Sequence, residues 1–215
     1  MKKVFMIVLI FVCALGWPAL GGEWTLEGFL GTAWNLPTPL TIVQNGYPDI
    51  ALTARYKEHT FEGFPYYALR VSRWSKNRAW ELDFVHHKIY LDNPPSDVQN
   101  FSISDGYNLL MVNRAWETKK FIWRVGAGVI ITHPESTVRD KVFDESKGMF
   151  GQGYYVSGPT IQGAVGKRLD LWKGLYVTIE GKLTASFARV SIVEGHADAS
   201  NVAFHILVGL GYRMR

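Results

Sequence analysis

Only one cysteine, Cys13, occurs in the 215 residues. It lies in the apolar run 4–15, behind Lys2 and Lys3 and ahead of the small-residue stretch Ala19-Leu20-Gly21. A basic start, an apolar run of this length and a small-residue site are the three parts of a cleaved secretory signal. The run is too short for a spanning helix. Residues 1–21 are therefore expected to be removed, leaving 22–215 without a thiol. That excludes disulfides, a cysteine nucleophile and a thiolate metal site. Phe11-Val12 is too bulky for lipoprotein processing, which excludes a lipid anchor at Cys13.

Charge of one sign is also scarce. The formal net charge is +4 and falls to +2 once Lys2 and Lys3 are removed. No basic run of the kind that tracks phosphates appears, so nucleic acid is not an expected partner. Helical periodicity is nearly absent after the signal.

What is present is alternation with a period of two over about ten residues, broken by turn residues. Trp24, Leu26, Leu30 and Trp34 alternate with Thr25, Glu27, Gly31 and Asn35. Tyr67, Leu69 and Val71 alternate with Ala68, Arg70 and Ser72. The same holds for 79–91, 121–133, 160–169, 175–187 and 204–213, and more weakly for 107–117, where both faces are apolar. Tight turns at 75–78, 117–120 and 170–174 contrast with longer polar stretches at 36–64, 92–105, 134–153 and 193–201. Short turns at one end and long loops at the other are the layout of an antiparallel up-and-down barrel. The expectation is an all-β fold of eight strands, with 36–64 as a long outer loop carrying its own hairpin. Two further strands within 36–64 would make ten.

Parity alone does not separate a transmembrane barrel from a lipocalin-like calyx, since the two exchange which face is wet. Three features favour the membrane. The polar face is rich in glycine (31, 126, 128, 166, 209, 211), as suits a narrow lumen. Trp24, Trp34, Trp80, Trp116, Trp123 and Tyr212 sit near the ends of apolar stripes, where aromatic girdles meet headgroups. The last strand alternates in full, as a closing strand should. These features, with the signal and the terminal "FHILVGLGYRMR", resemble small Gram-negative outer-membrane β-barrels of the OmpA/OmpX/OmpW type. The resemblance is one of pattern across 22–215, and it implies residence in the bacterial outer membrane. Those barrels commonly end on an aromatic residue, whereas here Arg213-Met214-Arg215 follows Tyr212.

On this parity Glu27, Arg70, Glu81, Asp83, His87, Asn113, Arg124, Arg168, Glu180, Lys182, His205 and Arg213 face the lumen. Arg70 is expected opposite Val85, diagonal to Asp83 and His87, and Arg124 opposite Asn113. An interlocked ionic plug is the plainest reading of so many charges in so narrow a space. A polar transport path and a metal site at His87 with Glu81 or Asp83 are weaker readings. His86 and Lys88 face outward beside Tyr67, where they would contact lipopolysaccharide headgroups or simply snorkel. Membrane lipid is thus the expected partner. No cofactor, metal or catalytic residue is assigned, and the oligomeric state is not legible.

Function is expected to be structural, or interaction through the outer loops. A lateral conduit for small hydrophobic molecules is an alternative, with Phe29, Val85, Ile89, Ile130 and Leu207 as lining and Pro37 and Pro39 opening the wall. A lipid A hydrolase or acyltransferase is another, with His133, Glu135 and Ser136, or His86 with Ser72 or Ser186, as candidates. Neither set makes a convincing triad.

Overall fold

The computed structural model describes residues 22–60, 65–144, 148–149 and 151–214. The proposed signal, with Cys13, lies outside them. Thirteen strands are present among the described residues. Eight of them form the wall: β1 (Glu23–Leu36), β5 (Tyr67–Ser75), β6 (Arg78–Leu91), β7 (Val98–Glu117), β8 (Ile122–Thr132), β11 (Tyr155–Trp172), β12 (Leu175–Ile192) and β13 (Gly195–Met214). Each pairs antiparallel with the next, and β1 pairs with β13, so the ring closes on eight strands. Closure leaves no unpaired edge within the wall, which is the condition lipid imposes on a sheet.

The other five strands are short and lie at the loop end: β2 (Thr38–Gln44), β3 (Ile50–Ala54), β4 (Tyr56–Lys57), β9 (Glu135–Val138) and β10 (Lys141–Val142). β2 and β3 form the hairpin expected inside the first long loop. β2 also pairs with β13, from Leu40↔Ala199 to Gln44↔Gly195, directly beyond the β1 pairing that ends at Leu36↔Val202. Pro37 and Pro39 therefore do not part β1 from β13, contrary to the wall opening expected there.

Two stretches read as loops are strand. Residues 98–105 belong to β7, and β12 and β13 run on to a tight turn at 193–194, where Glu194 has φ 56°. Both stretches lie above the lipid-facing part of the wall, where the outward face is polar and the buried inner face is carried by Val98, Phe101, Ile103, Ala197 and Ala199, too scattered or too small to stand out as a stripe. Two registers also differ from expectation. Ser75 and Arg78 pair with each other across Lys76 (φ 54°) and Asn77, which sets Arg70 directly opposite Asp83 rather than Val85. Glu117 pairs with Ile122, so Arg124 faces Ala115 and Asn113 faces Gly126.

The wall turns its apolar side outward. Leu26, Leu30, Trp80, Val125, Ile161, Ile179, Leu183, Val208 and Leu210 are all about half exposed. On β13 the outward stripe runs from Phe204 to Tyr212, the roughly 9–11 residues that a tilted strand needs to cross hydrocarbon. Aromatics bound the belt. Trp24, Trp80, Trp116, Trp123 and Tyr212 lie near the tight turns, and Trp34 stacks on Phe204 at 6.1 Å toward the loops.

Inside, strands approach closely wherever glycine permits it. A Cβ on Gly128 would lie 2.0 Å from the Leu110 carbonyl oxygen and 2.6 Å from Met111 Cα, whereas one on Gly163 would meet nothing within 4 Å. Gly128→Ala must push β7 away from β8, while Gly163→Ala only adds a methyl. We expect Gly128→Ala to lose about 1–3 kcal/mol, the usual range for overpacking, and Gly163→Ala to unfold with the parent. Urea unfolding in detergent micelles, followed by tryptophan fluorescence, measures both.

Candidate functional site

The lumen is divided into three layers. The middle layer is ionic and dry. Arg70 on β5 is its hub: Nη2 lies 2.7 Å from Glu180 Oε1 and 3.2 Å from Asp83 Oδ2, and Nη1 lies 2.9 Å from Glu180 Oε2 and 3.4 Å from Glu27 Oε2. Arg124 on β8 donates from Nε to both oxygens of Glu81, at 3.2 and 2.9 Å, and its Nη1 reaches Glu180 Oε2 at 2.9 Å. Lys182 Nζ contacts Asp83 Oδ2 at 2.7 Å. None of the side chains of Arg70, Arg124, Lys182, Glu27, Glu81, Asp83 or Glu180 is exposed. Neutral donors add to the carboxylates, mostly at oxygens that a cation already holds, while Asp83 Oδ1 is buried with no hydrogen-bond partner among the described residues. Thr178 donates to Glu27 (2.8 Å), Ser72 to Glu81 (3.2 Å), and both Asn113 and Gln162 to Asp83 (3.2 and 3.1 Å). The Arg70 guanidinium also lies 4.9 Å above the Phe29 ring.

The turn-end layer is the mouth. Arg168 sits 3.7 Å from Glu27 Oε1 and stacks over Trp74 and Tyr176 at 4.6 and 4.8 Å. Arg213 leaves the lumen for the rim, pairing with Asp170 at 2.7 Å and Glu23 at 3.6 Å. The buried layer thus contains four acids (Glu27, Glu81, Asp83, Glu180) and three bases (Arg70, Arg124, Lys182), and the part-exposed Arg168 at its edge brings the sum to neutral.

The loop-end layer begins with histidines. His205 shares hydrogen bonds with Tyr66 (2.8 Å) and Thr184 (2.9 Å), and His87 with Asn35 (3.0 Å), which also accepts from Asn201 (2.8 Å). Glu58, carried inward from the first long loop, sits 2.5 Å from His87 Nδ1. Around and above these lies an apolar core that includes Phe29, Val85, Ile89, Tyr107, Ile130 and Leu207. The lining residues suggested for a hydrophobic conduit are therefore inward and buried, packed against one another.

Of the twelve residues given a lumenal position, Glu27, Arg70, Glu81, Asp83, Asn113, Arg124, Glu180 and Lys182 meet in one network. Arg168 touches its edge, His87 and His205 form the layer above, and Arg213 is apart. Gln162 and Thr178 were legible by parity but not singled out. Glu58 and Tyr66 carried no signal, because nothing in the 36–66 sequence marks a segment that turns back into the barrel.

His86 and Lys88 depart from expectation. They keep the outward parity, but His86 is buried, bonded to Asn108 at 2.8 Å and stacked on Tyr67 at 5.0 Å. Lys88 is buried too and donates to the His59 carbonyl oxygen at 2.5 Å. The first long loop covers Lys88, and burial turns both side chains away from the surface where they were to meet lipopolysaccharide. The pairing of His86 with Ser72 or Ser186 also fails. Ser72 is bonded to Glu81 and Ser186 to Thr160, both on the lumenal side of the wall from His86.

Above the belt the ion pairs are exposed. Arg189 grips Asp198 with two bonds of 2.7 and 2.8 Å, and this hydrogen bonding holds the Asp198 carboxyl below its ordinary range.

Removing Arg70 would take a bidentate cation from Glu180 and one of two cations from Asp83, and leave Glu27 only the 3.7 Å contact to Arg168. Breaking a buried pair from one side costs roughly 3–5 kcal/mol. We expect Arg70→Met to lose about that much stability in urea titrations. Arg168→Met, at the edge of the layer with one 3.7 Å contact, should lose less than half as much. Equal losses from the two would show that Arg70 is not the hub.

No family model matches the sequence, and no curated protein matches it. Solved structures do resemble the fold. Ail, the attachment invasion locus protein of Yersinia pestis, aligns over 91% of this chain and 100% of its own, at 10% identity and TM-score 0.42. The outer membrane protein AlkL, solved in DMPC bilayers, aligns over 93% and 96% at 15% identity and TM-score 0.47. Neisserial surface protein A aligns over 91% and 100% at 7% identity and TM-score 0.44.

Proposed function

We propose that this chain is an integral protein of the bacterial outer membrane, sealed through its centre, that works through the sheet and loops raised above its lipid belt. The carrying observation is the ionic layer, seven charged side chains at zero exposure with Arg168 at their edge, inside a closed ring of eight strands. Eight strands enclose barely more than their own side chains, and here those side chains are bonded to one another. The outward belt supports lipid as the solvent of the wall. A soluble calyx would need the reverse arrangement, with polar residues outside and an apolar interior throughout.

Above the belt, β12, β13 and the β2–β3 hairpin continue as one sheet on one side of the rim. On the other side, β9 pairs with the upper part of β7. These extensions offer partners a rigid surface rather than loose loops. The buried apolar core of the loop-end layer supports one second reading, uptake of a small hydrophobic molecule toward the wall.

Detergent-refolded protein tests both readings. We expect a fast-migrating gel band that collapses on boiling and, in planar lipid bilayers, no stable conductance steps. Regular single-channel steps would overturn the sealed lumen. Protein-dependent entry of an apolar fluorescent probe into liposomes, without ion conductance, would favour the conduit. A chain that stays soluble without detergent and never gives the fast band would overturn the membrane assignment itself.

A further inference from the structure

Asp105, His133 and Glu135 come from three places in the chain and meet at the loop-end rim. Each presents a ligand atom, and the three atoms lie within 4.8 Å of one another. Two devices bring them together. The first is a bulge in β7: against β6, His87 pairs with Tyr107 but Ile89 pairs with Ile103, so residues 104–106 stand against Lys88 alone and two of them are extra. Bulges re-aim side chains, and this one turns at Gly106, whose φ of 131° suits glycine. The second is Pro134, which separates β8 from β9 and lets His133 and Glu135 flank the break. The backbone locks the two together, since the His133 amide donates to the Gly106 carbonyl at 3.2 Å.

The imidazole is prepared for a ligand. His133 is 8% exposed, and its Nδ1 is buried with no hydrogen-bond partner among the described residues. Its ring is held edge-on against Tyr154 at 5.0 Å, and the Tyr154 hydroxyl donates to the Asp105 carbonyl oxygen at 3.4 Å. Glu135 Oε1 accepts a bond from Ser104 within the bulge. A buried imidazole nitrogen without a partner is a cost that a metal ion would remove.

We propose that Asp105, His133 and Glu135 bind a divalent transition-metal ion of the Zn²⁺ class. One imidazole with two carboxylates suits such an ion better than Ca²⁺ or Mg²⁺, which take all-oxygen shells. Donors around Zn²⁺ at about 2.0–2.1 Å stand roughly 3.4 Å apart. Small rotations of the exposed Asp105 and half-buried Glu135 carboxylates close the gap. Three protein ligands leave a fourth position toward solvent, open to water or to a donor from outside the chain. The ion would tie the β7 bulge to the start of β9, fixing the rim on that side.

The test uses untagged full-length protein purified in detergent and stripped with chelator. Isothermal titration with Zn²⁺ should show one site per chain, and Ca²⁺ and Mg²⁺ should bind at least about 100-fold more weakly. Asp105→Asn, His133→Gln and Glu135→Gln should each weaken Zn²⁺ binding by about 100-fold or more, since loss of even an outer-shell partner costs 10–100-fold. Heat-modifiable mobility of each variant checks folding. On the parent protein alone, binding should weaken as the pH falls from about 8 to about 5, because protons compete for an imidazole ligand. Co²⁺ should give the visible bands of a nitrogen-containing low-symmetry site. Absence of Zn²⁺ binding, equal binding by folded His133→Gln, or equal affinity for Ca²⁺ would each overturn the proposal.

Discussion

The Arg70 guanidinium is the interaction on which the rest of the barrel depends. It contacts Glu27, Glu81, Asp83 and Glu180, from three different strands, β1, β6 and β12. A charge inside a lipid-embedded wall cannot turn to water, so it must find all its compensation within the ring. Each carboxylate that answers Arg70 then needs a second partner, which brings in Arg124, Lys182 and the neutral donors Ser72, Thr178, Asn113 and Gln162. The layer is therefore a consequence of its first member. Any such network is worth little net stability compared with an apolar core, but breaking it from one side is expensive. Its effect is to fix register. A slip of any wall strand by one residue would turn its lumenal charges to lipid.

The apolar belt and the ionic layer are the two faces of the same alternation, and this is why so much could be read from sequence. Wherever one face meets lipid and the other the lumen, as in β1, β5, β8 and the lower part of β13, parity placed Glu27, Arg70, Arg124 and His205 on the inner side, where they are buried, while Arg213 at the turn end goes to the rim. Above the belt the information runs out. Residues 98–105 and 195–201 are paired strand, but their buried face is made of scattered or small residues such as Val98, Ile103, Ala197 and Ala199, and the opposite face is polar, so no apolar stripe announces them. The registers of Arg70 and Arg124 were off because they hang on turn geometry. Lys76 in a left-handed conformation shortens its turn to two residues, and composition does not announce that.

What sequence could not reveal was contact between distant segments. Glu58 reaches His87 and the Lys88 amide through a loop that turns inward, and the His59 carbonyl of the same loop takes the Lys88 ammonium, which buries a side chain of outward parity. Asp105 reaches His133 and Glu135 through a bulge. In both places the chain departs from regular strand, and the periodic rules that worked in the wall have nothing to act on.

The division of charge among strands has a bearing on how the barrel is built. β1 brings one negative charge, the β5–β6 hairpin a net of one more, β8 and β11 one positive charge each, and β12 one of each sign. The pairs Arg70–Glu180, Lys182–Asp83, Arg124–Glu81 and Arg168–Glu27 all join strands that are not neighbours in the ring. A flat, partly formed sheet would carry these ions without their partners, which they meet only as the sheet curls. Bare ions are costly in hydrocarbon, so curvature and burial have to advance together.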